Sequence, residues 1–404
     1  MRVLILSQYF YPELISTGQI LTELAEDLVA RGCSVSAIAG QPTYYDRWCV
    51  ENEIVHRGIR ILRVGNTQWD KNRVAGKIAN SVTFFGGALR RALSLSRGTI
   101  ILAVTNPPFL PVGAYLISLL GRGKYICLIH DVYPDIAVRL GYIRAGGVLE
   151  RLWSWVNRVM WGRAEAIVVL GRDMEETIRA KLPPSERGKI VFIPNWSDGE
   201  SIVPLCKEDN PFLLEAGLDP STFIVQYSGN MGLFHDMETI VRGAALLKDL
   251  PVRFLFIGGG GKREATEAMA KSLGLENVLF LPYQPKEKLR FSLSCSDVSL
   301  VCLEKGAEGL AVPCKYYGIL ASGRPVIALM DERAEIARSV RETGCGYVIQ
   351  QGDAERLAES IRFLFRNPEV RAEMGRRARE TLEKEYSREI ISRRYFDLFQ
   401  RIQV

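Results

Sequence analysis

Short apolar runs alternate with longer amphipathic stretches along almost the whole sequence, and this alternation is the strongest constraint on the fold. Apolar runs of about four to eight residues are typical of buried parallel strands, and the stretches between them have the period of helices. Such a pattern predicts a parallel sheet wrapped by helices. The first half contains six predicted strands, at Val3–Leu6, Val35–Ala39, Ile59–Val64, Ile100–Val104, Tyr125–Ile129 and Ala166–Leu170.

The pattern stops at Pro194–Gly199, whose proline, glycine and small polar residues are typical of a linker. A chain of 404 residues also exceeds the ~250 to 300 residues at which a single core stops growing. We therefore predict an α/β protein with two doubly wound Rossmann-like domains facing each other across a cleft, at residues 1–195 and 196–375. C-terminal helices at 376–404 are expected to pack toward the first domain. The second domain contains six predicted strands, at Phe223–Tyr227, Phe254–Ile257, Val278–Phe280, Val298–Cys302, Pro325–Ala328 and Gly346–Ile349.

Composition excludes several classes of protein. Hydrophobic residues make up 47% of the chain and charged residues 24%, which argues against a disordered, collagenous or coiled-coil protein. The eight cysteines contain no Cys-x-x-Cys pair and are accompanied by three histidines. This argues against a zinc site or a disulfide scaffold and indicates reduced thiols. We find neither a signal peptide nor the ~18 consecutive apolar residues of a membrane span, and we expect a cytoplasmic protein.

Glycine-rich loops follow several predicted strands, at the sheet edge where open α/β sheets bind ligands. Thr17-Gly18 precedes a predicted helix, whose free N–H groups can bind an anion, although an ordinary capped turn explains the same residues. Ser228-Gly229-Asn230 and the run from Gly258 to Arg263 allow a ligand to approach the backbone closely. None of these loops matches the dinucleotide fingerprint or the P-loop. NAD enzymes and P-loop ATPases are therefore disfavoured.

Two further loops carry residues suited to sugar and phosphate chemistry. His130 follows a predicted strand and can hydrogen-bond a sugar or transfer a proton near neutral pH, although a packed core histidine explains it equally well. In the stretch from Glu304 to Gly318, the carboxylate of Glu308 can accept hydrogen bonds from hydroxyls. Lys315 and the helix start beside it can bind phosphate. An exposed charged loop is the alternative interpretation of this stretch.

Positive charge is concentrated in the first half of the chain. Residues 1–195 carry 24 Lys and Arg against 16 Asp and Glu, whereas residues 196–404 carry 28 against 30. Two basic stretches there also contain apolar and aromatic residues, which is typical of helices that lie on anionic membranes, although core helices with solvated faces also fit. No nucleic-acid-binding motif is present, and we expect no nucleic-acid partner. The candidate acceptor- or membrane-facing residues are Lys71, Arg73, Lys77, Arg90, Arg91, Trp153 and Trp155.

The sequence resembles the family-4 retaining glycosyltransferases of the GT-B fold, nearest to the branch that builds bacterial exopolysaccharide, O-antigen and colanic-acid-type chains. The resemblance covers nearly the whole chain. It is carried by Leu6–Glu13, His130–Pro134, Ile193–Trp196, Tyr227–Asn230, Val312–Lys315 and Ala321–Pro325, and by the ending from Gly344 to Arg376.

This resemblance implies an enzyme that moves a sugar from a nucleotide-sugar donor to a lipid-linked saccharide, with retention of configuration. A UDP-sugar is favoured over a GDP-sugar as the commoner donor. The implied catalytic residues are Glu308, which would hold the transferred sugar, and His130, beside the anomeric carbon. The enzyme would be peripheral on the inner face of an anionic cell membrane. The implied donor-binding residues are Thr17, Gly18, Ser228, Gly229, Asn230, Gly258, Arg263, Tyr283, Val312, Pro313 and Lys315.

The sequence departs from the family at two points. The family's second glutamate, which would bind the ribose, falls on Gly318, and the Arg and Lys that many relatives carry after the Gly229 loop are absent. Lys315 and Arg263 are the candidate replacements for the missing phosphate-binding charge. No Asp-x-Asp occurs, so we expect no metal ion and no cofactor besides the donor substrate.

Two other functions remain compatible with the sequence. A nucleotide-sugar 2-epimerase has the same architecture but needs no basic, tryptophan-rich helices, so membrane binding distinguishes the two. A non-catalytic nucleotide-sugar-binding protein is suggested by the missing second glutamate, and donor hydrolysis or transfer would exclude it.

Overall fold

The computed structural model describes residues 1–13, 15–42, 51–67, 69, 74–94 and 98–403. The chain divides into two compact units. Unit 1 comprises Met1–Pro194, Gly309–Ala311 and Arg388–Val404, and unit 2 comprises Asn195–Glu308 and Val312–Ser387.

The described part of unit 1 forms an eight-stranded sheet of order β3-β4-β2-β1-β5-β6-β7-β8. Each pair of neighbouring strands is parallel except β3 and β4. All residues of β5 and β7 are buried, which explains why these strands are continuous apolar runs in the sequence. The strands are β1 (Arg2–Leu6), β2 (Ser34–Gly40), β3 (Glu53–His56), β4 (Ile59–Val64), β5 (Thr99–Val104), β6 (Gly123–Ile129), β7 (Ala166–Val169) and β8 (Ile190–Phe192).

Helices connect these strands and cover the sheet. The helices are α1 (Ser16–Ala30), α2 (Val74–Ala92), α3 (Leu110–Leu119), α4 (Asp135–Arg139), α5 (Val148–Arg163) and α6 (Arg172–Lys181), with a 3-10 helix at Pro184–Lys189. Within the described ranges, no helix is long and apolar enough to cross a membrane.

The six predicted strands of the first half are present, and two more, β3 and β8, were not predicted. β3 pairs antiparallel with β4 at one edge of the sheet. The hairpin turns at Arg57 (φ 46°) and Gly58 (φ 80°), and positive φ at both central residues is the geometry that matches the twist of a two-residue hairpin. β8 is the other edge and has three residues.

Unit 2 contains a six-stranded parallel sheet of order β11-β10-β9-β12-β13-β14. All six strands were predicted. They are β9 (Phe223–Ser228), β10 (Val252–Ile257), β11 (Val278–Leu281), β12 (Val298–Cys302), β13 (Val326–Leu329) and β14 (Gly346–Ile349). Its core includes Phe254 and Leu300 from the sheet and Ile240 and Leu357 from the covering helices.

The helices of unit 2 surround this sheet, and the two that provide Ile240 and Leu357 have defined N-caps. The Asp236 carboxylate accepts a hydrogen bond from the Thr239 N–H, and Asp353 accepts one from Arg356, which satisfies otherwise unpaired donors of the first turn. The helices are α7 (Pro211–Glu215), α8 (Met237–Ala245), α9 (Arg263–Ser272), α10 (Leu289–Ser294), α11 (Lys315–Ala321), α12 (Glu335–Thr343), α13 (Ala354–Arg366) and α14 (Pro368–Thr381), with a 3-10 helix at Lys286–Lys288.

The C-terminal region is helical, but the predicted segment 376–404 is divided between the units, with residues 376–387 in unit 2 and residues 388–404 in unit 1. A π-helical turn at Leu382–Tyr386 follows α14, and α15 (Arg388–Gln403) then packs along α1 within unit 1. Arg388 donates to the carboxylates of Asp27 (2.7 Å) and Glu26 (2.9 Å) on α1.

Candidate functional site

Glycines permit two loops of unit 2 to approach each other closely at the carboxyl ends of β9 and β10. Gly229 and Gly258 have φ of 130° and 131°, and the Gly229 N–H donates to the Ile257 carbonyl at 2.8 Å. A Cβ on Gly258 would lie 2.1 Å from the Gly229 carbonyl oxygen. The Tyr283 hydroxyl donates to the Gly259 carbonyl at 3.4 Å and closes one side of the loops. Only glycine fits at Gly258, so the loop pair depends on this residue.

The ammonium group of Lys315 lies beside these loops. A Cβ on Gly229 would lie 3.1 Å from Lys315 Cε. The Lys315 Nζ donates to the Tyr227 hydroxyl at 2.8 Å and lies 4.7 Å from the centroid of the Tyr227 ring. That hydroxyl donates in turn to the Asn230 carbonyl at 2.7 Å. The predicted residues Gly229, Asn230, Gly258, Tyr283 and Lys315 therefore come together in unit 2.

His235 faces the same ammonium group, with its Nε2 3.4 Å from Lys315 Nζ. The His235 Nδ1 accepts a hydrogen bond from the Gly232 N–H at 2.9 Å, so the proton of the neutral ring is on Nε2. Burial and the positive charge of Lys315 keep the pKa of His235 well below its usual value. Two donors, one of them a cation, thus point at the same space.

Among the residues that the structure describes, no carboxylate forms an ion pair with the ammonium group of Lys315. Burial lowers its pKa to about 8, because the charged form is poorly solvated there. A cation and an N–H donor without an acceptor between them form a site that an anionic oxygen can complete.

The other basic residues of these loops are already paired. Lys262 donates to the His235 carbonyl at 2.8 Å and forms an ion pair with Glu304. Arg263, predicted as a phosphate ligand, donates to Glu267 at 2.6 Å and to the carbonyls of Gly258 and Leu281. Arg263 therefore stabilises the glycine loop through its hydrogen bonds to backbone carbonyls, and Lys262 stabilises the backbone at His235.

Glu308 lies in the loop after β12 and is held by two hydrogen bonds. Its Oε1 accepts from Arg333 at 2.9 Å and its Oε2 accepts from the Gly306 N–H at 2.8 Å. Arg333 also donates to Asp331 at 2.9 Å. These two hydrogen bonds orient the carboxylate. Ser228 ends β9, and Val312 and Pro313 are buried before α11.

In unit 1, the predicted residues Thr17 and His130 come together. Their side chains, Thr17 Oγ1 and His130 Nδ1, lie 3.5 Å apart, and the His130 N–H donates to Thr105 Oγ1 at 3.0 Å. The ring is buried, and its Nε2 has no hydrogen-bond partner among the described residues. Burial lowers the pKa of His130 to about 4, so the imidazole is neutral at pH 7.

Gly18 and Asp131 adjoin Thr17 and His130 in the sequence. Gly18 packs in the first turn of α1, where a Cβ would lie 3.1 Å from the Glu13 carbonyl oxygen. Burial raises the pKa of Asp131 to about 6. Asp173 accepts a hydrogen bond from the Gly309 N–H at 2.8 Å, a contact between residues 136 positions apart that no local sequence signal reveals.

The predicted acceptor- or membrane-facing residues have different environments. Lys71, Arg73 and the side chain of Lys77 lie outside the described residues. On α2, Arg90 is exposed and Arg91 pairs with Glu53 at 3.3 Å. On α5, Trp155 is exposed, whereas Trp153 is half-buried and stacks on Tyr133 with ring centroids 5.6 Å apart.

Three residues of the site were not predicted from the sequence. They are Tyr227, which is the hydrogen-bond partner of Lys315, Arg333, which contacts Glu308, and Asp173, which contacts Gly309. Their contacts join residues that are far apart in the chain, and nothing in the local sequence marks them. Across the part of the chain that the structure covers, no cluster of three or more His, Cys, Asp or Glu residues could hold a metal ion.

Comparison with known proteins identifies the family. The family described as Glycosyl transferase 4-like domain matches residues 17–196, and the family described as Glycosyl transferases group 1 matches residues 215–381. The chain is 30% identical to the probable glycosyltransferase WbjE of Pseudomonas aeruginosa over 72% of each chain. The chain belongs to the group 1 glycosyltransferases. This glycosyltransferase is also 26% identical to the putative colanic acid biosynthesis glycosyl transferase WcaI of Escherichia coli, over 95% of its own length and 97% of the relative's.

Solved structures share the fold of this glycosyltransferase. Sucrose-phosphate synthase from Thermosynechococcus elongatus superposes with a TM-score of 0.81 at 17% identity, covering 100% of this chain and 99% of the other. HepE of Anabaena, in complex with UDP and glucose, gives 0.74 at 15% identity over 99% of both chains. These findings confirm the predicted GT-B fold and the predicted family-4 branch.

Proposed function

We propose that this glycosyltransferase transfers a sugar from a nucleotide-sugar donor to a lipid-linked saccharide, in the biosynthesis of a cell-surface or extracellular polysaccharide. The observation that carries the donor half of the proposal is the pair formed by Lys315 and His235. Both groups donate into one space beside the Gly229 and Gly258 loops, and neither finds an anionic acceptor there among the described residues.

A diphosphate is the chemical group that best completes this pair. A phosphate oxygen can accept from both Lys315 Nζ and His235 Nε2, and the glycine loops permit the approach of a bulky anion. In this proposal Lys315 and His235 replace the Arg and Lys that many relatives carry after the Gly229 loop. UDP is the first nucleotide to test, since HepE, which shares the fold, was solved with UDP.

The remaining catalytic assignments follow the family resemblance. Glu308, fixed by Arg333 and Gly306, is proposed to accept hydrogen bonds from hydroxyls of the transferred sugar. His130 is proposed to use its unpartnered Nε2 for a hydrogen bond to the same sugar. With a pKa of about 4, His130 positions the sugar as a neutral group and does not act as a cationic acid at pH 7.

The proposed chemistry is transfer on one face of the sugar ring. The bond from the anomeric carbon to the donor phosphate oxygen breaks, and the acceptor hydroxyl oxygen bonds to that carbon on the same face. The hydroxyl proton passes to the departing phosphate, so the products are a nucleoside diphosphate and a glycoside of retained configuration. Lys315 stabilises the charge that develops on the phosphate, and we expect activity to persist in EDTA.

The acceptor and the place of action are proposed from the relatives and from charge. The relative WcaI is a putative glycosyltransferase of colanic acid biosynthesis. The excess of Lys and Arg in residues 1–195 favours an acceptor that is held at an anionic membrane. The enzyme would then be peripheral on the cytoplasmic face.

Isothermal titration calorimetry with UDP, GDP and ADP in EDTA tests the donor site. One nucleotide should bind, and Lys315→Met should raise its Kd at least tenfold, about 1.4 kcal/mol, by removing a charge-assisted hydrogen bond. Lys271→Met is the matched control, because Lys271 is an exposed lysine of the same unit and should leave the Kd unchanged.

Transfer itself is tested with the nucleotide sugars of whichever base binds and a lipid-linked saccharide from bacterial membranes. NMR of the product should show the anomeric configuration of the donor, and Glu308→Gln should lower kcat. An epimerised nucleotide sugar without a glycoside product would identify the 2-epimerase instead. Binding without any turnover would support the non-catalytic alternative.

A further inference from the structure

Exposed large apolar side chains of the described chain are concentrated on α3, on α5 and in the segment between them. Eighteen large apolar side chains are exposed among the described residues, and nine of them lie between Leu116 and Val159. We call this surface the α3–α5 face. Its apolar side chains are Leu116, Leu119 and Leu120 at the end of α3, and Val148, Leu152, Trp155 and Val159 on the outer side of α5.

The helix α5 has apolar residues on two opposite sides. Met160 and Trp161 are buried against the unit, 3% and 4% exposed. On the outer side, Val148, Leu152, Trp155 and Val159 follow the spacing i, i+4, i+7, i+11, which places them in one stripe. Trp155 is 58% exposed. A surface helix that packs on one side normally presents charge on the other, so this outer stripe is suited to a partner.

Arginines border the apolar stripe. Arg151 and Arg158 are seven residues apart on α5, so they lie on one side of the helix beside Trp155, and Arg144 precedes the helix. All three are exposed, and their guanidinium groups form no hydrogen bond or ion pair with the described residues. In contrast, the helix's acidic residue, Glu150, accepts from the Gly146 N–H. The unpaired charge of the face is therefore positive.

A groove of about 830 Å³ runs along this face. Its apolar lining includes Leu119 from α3 and Trp155 and Val159 from α5. The charged residues that line it are Arg158, Arg163, Lys181 and Glu186, and Glu186 pairs with Lys189 at 2.6 Å. Apolar walls with a cationic border match the two parts of a phospholipid, an acyl chain and an anionic headgroup. Arginine can keep its charge at headgroup level while its methylene stem covers apolar surface.

We infer that the α3–α5 face docks this glycosyltransferase on an anionic lipid bilayer, with Leu152 and Trp155 in the interfacial layer and Arg151 and Arg158 on the headgroups. The docking is a property of unit 1 and does not depend on the donor site in unit 2. The inference adds a specific surface to the proposed lipid-linked acceptor. Of the two basic stretches predicted from the sequence, the inference assigns membrane contact to α5. It also includes the end of α3, where no membrane-facing residue was predicted from the sequence.

The same helix is bonded to the loop that carries His130. The Asn157 side chain donates to the Tyr133 carbonyl at 2.7 Å, and the Trp153 ring stacks on the Tyr133 ring. Tyr133 is three residues from His130. A bilayer against α5 would therefore lie on the helix that positions this loop, which suits an acceptor anchored in that bilayer.

Flotation of the full-length protein with lipid vesicles tests the inference. Vesicles of phosphatidylcholine alone are compared with vesicles containing 30 mol% phosphatidylglycerol, without nucleotide. We expect binding to the anionic vesicles that weakens with salt. The double variant Leu152→Ser/Trp155→Ser and the double variant Arg151→Gln/Arg158→Gln should each lower the vesicle partition coefficient at least tenfold.

Matched controls are Leu214→Ser and Arg366→Gln, which alter exposed residues of unit 2 and should partition as the unchanged protein does. The UDP Kd of each variant, measured separately by calorimetry, should equal that of the unchanged protein and shows that the variant is folded. Failure to bind anionic vesicles, or equal binding by the double variants, would overturn the inference. A dimer in solution that the Leu152→Ser/Trp155→Ser variant dissociates would also overturn it, in favour of a second copy of the chain. If vesicles bind but no nucleotide does, the proposed donor site fails and the docking surface stands.

Discussion

At the scale of the residue, Lys315 is a cation held among neutral groups. Its neighbours are the Tyr227 hydroxyl and ring and the His235 imidazole. These groups can stabilise an ammonium only partly, and burial lowers its pKa from 10.5 to about 8. The charge that a phosphate needs is thus present at neutral pH and is easily lost in mild alkali.

Nucleotide affinity should therefore fall as pH rises through 8. Above the folded-state pKa the amine is neutral, and its cationic fraction falls about tenfold for each pH unit. Between pH 7.5 and pH 9.5 the cationic fraction falls about 25-fold for a pKa of about 8, and we expect the Kd for the bound nucleotide, measured by calorimetry, to rise by about 10- to 25-fold. The variant Lys315→Met should bind weakly with little change over the same range. A pH dependence of equal size in this variant would assign the effect to another group.

At the level of secondary-structure elements, the loops after β9 and β10 are held together by close backbone contacts. Their positive φ values and the short Met231 N–H to Gly259 carbonyl hydrogen bond, 2.6 Å, leave little room for side chains. Where the loops touch, a methyl group at Gly258 would overlap the Gly229 carbonyl oxygen, whereas one at Gly261 would meet nothing closer than 3.6 Å.

The variant Gly258→Ala should destabilise the protein by at least ~3 kcal/mol, since it combines an unfavourable φ with a backbone overlap. Gly261→Ala, in the same loop, should change the free energy of unfolding by less than ~1 kcal/mol. Urea denaturation followed by circular dichroism measures both. Equal stability of the two variants would show that the loops separate more freely than the structure indicates.

Much of the fold could be predicted from the sequence, because strands buried on both faces are continuous apolar runs. The edge strand β3 was missed, since Glu53 and Val55 are exposed and the segment has no such run. Glycine loops could be found because positive φ demands glycine. The contacts of Lys315 with Tyr227 and His235 could not be predicted. These partners are 88 and 80 residues away in the chain, and such side-chain contacts depend on tertiary packing.

At the scale of the whole molecule, unit 1 is assembled from segments that are distant in the chain. The helix α15 lies against α1, and Arg388 forms ion pairs with Glu26 and Asp27. These contacts raise the pKa of Arg388 above its usual value, although burial opposes the shift. The ion pairs join residues 361 and 362 positions apart.

Removing this link should weaken unit 1. The variant Arg388→Ala removes the ion pair of the half-buried Asp27 carboxylate and one of the ion pairs of Glu26. Glu26 keeps its contacts with Arg57 and His56. We expect a loss of about 1 to 3 kcal/mol. Arg401→Ala changes an exposed residue of the same helix and should have little effect. Thermal unfolding by calorimetry compares the two. Should the variants unfold at the same temperature, the Arg388 ion pairs would contribute no net stability.

The position of α15 also affects the order in which the protein can be completed during synthesis. Unit 1 contains Met1–Pro194 but lacks α15 until Arg388 and the residues after it have been translated. At ~5 to 20 residues per second, the ribosome needs ~10 to 40 s for the intervening segment. During that time the side of α1 that α15 later covers lacks its partner helix, so unit 1 is completed only at the end of translation.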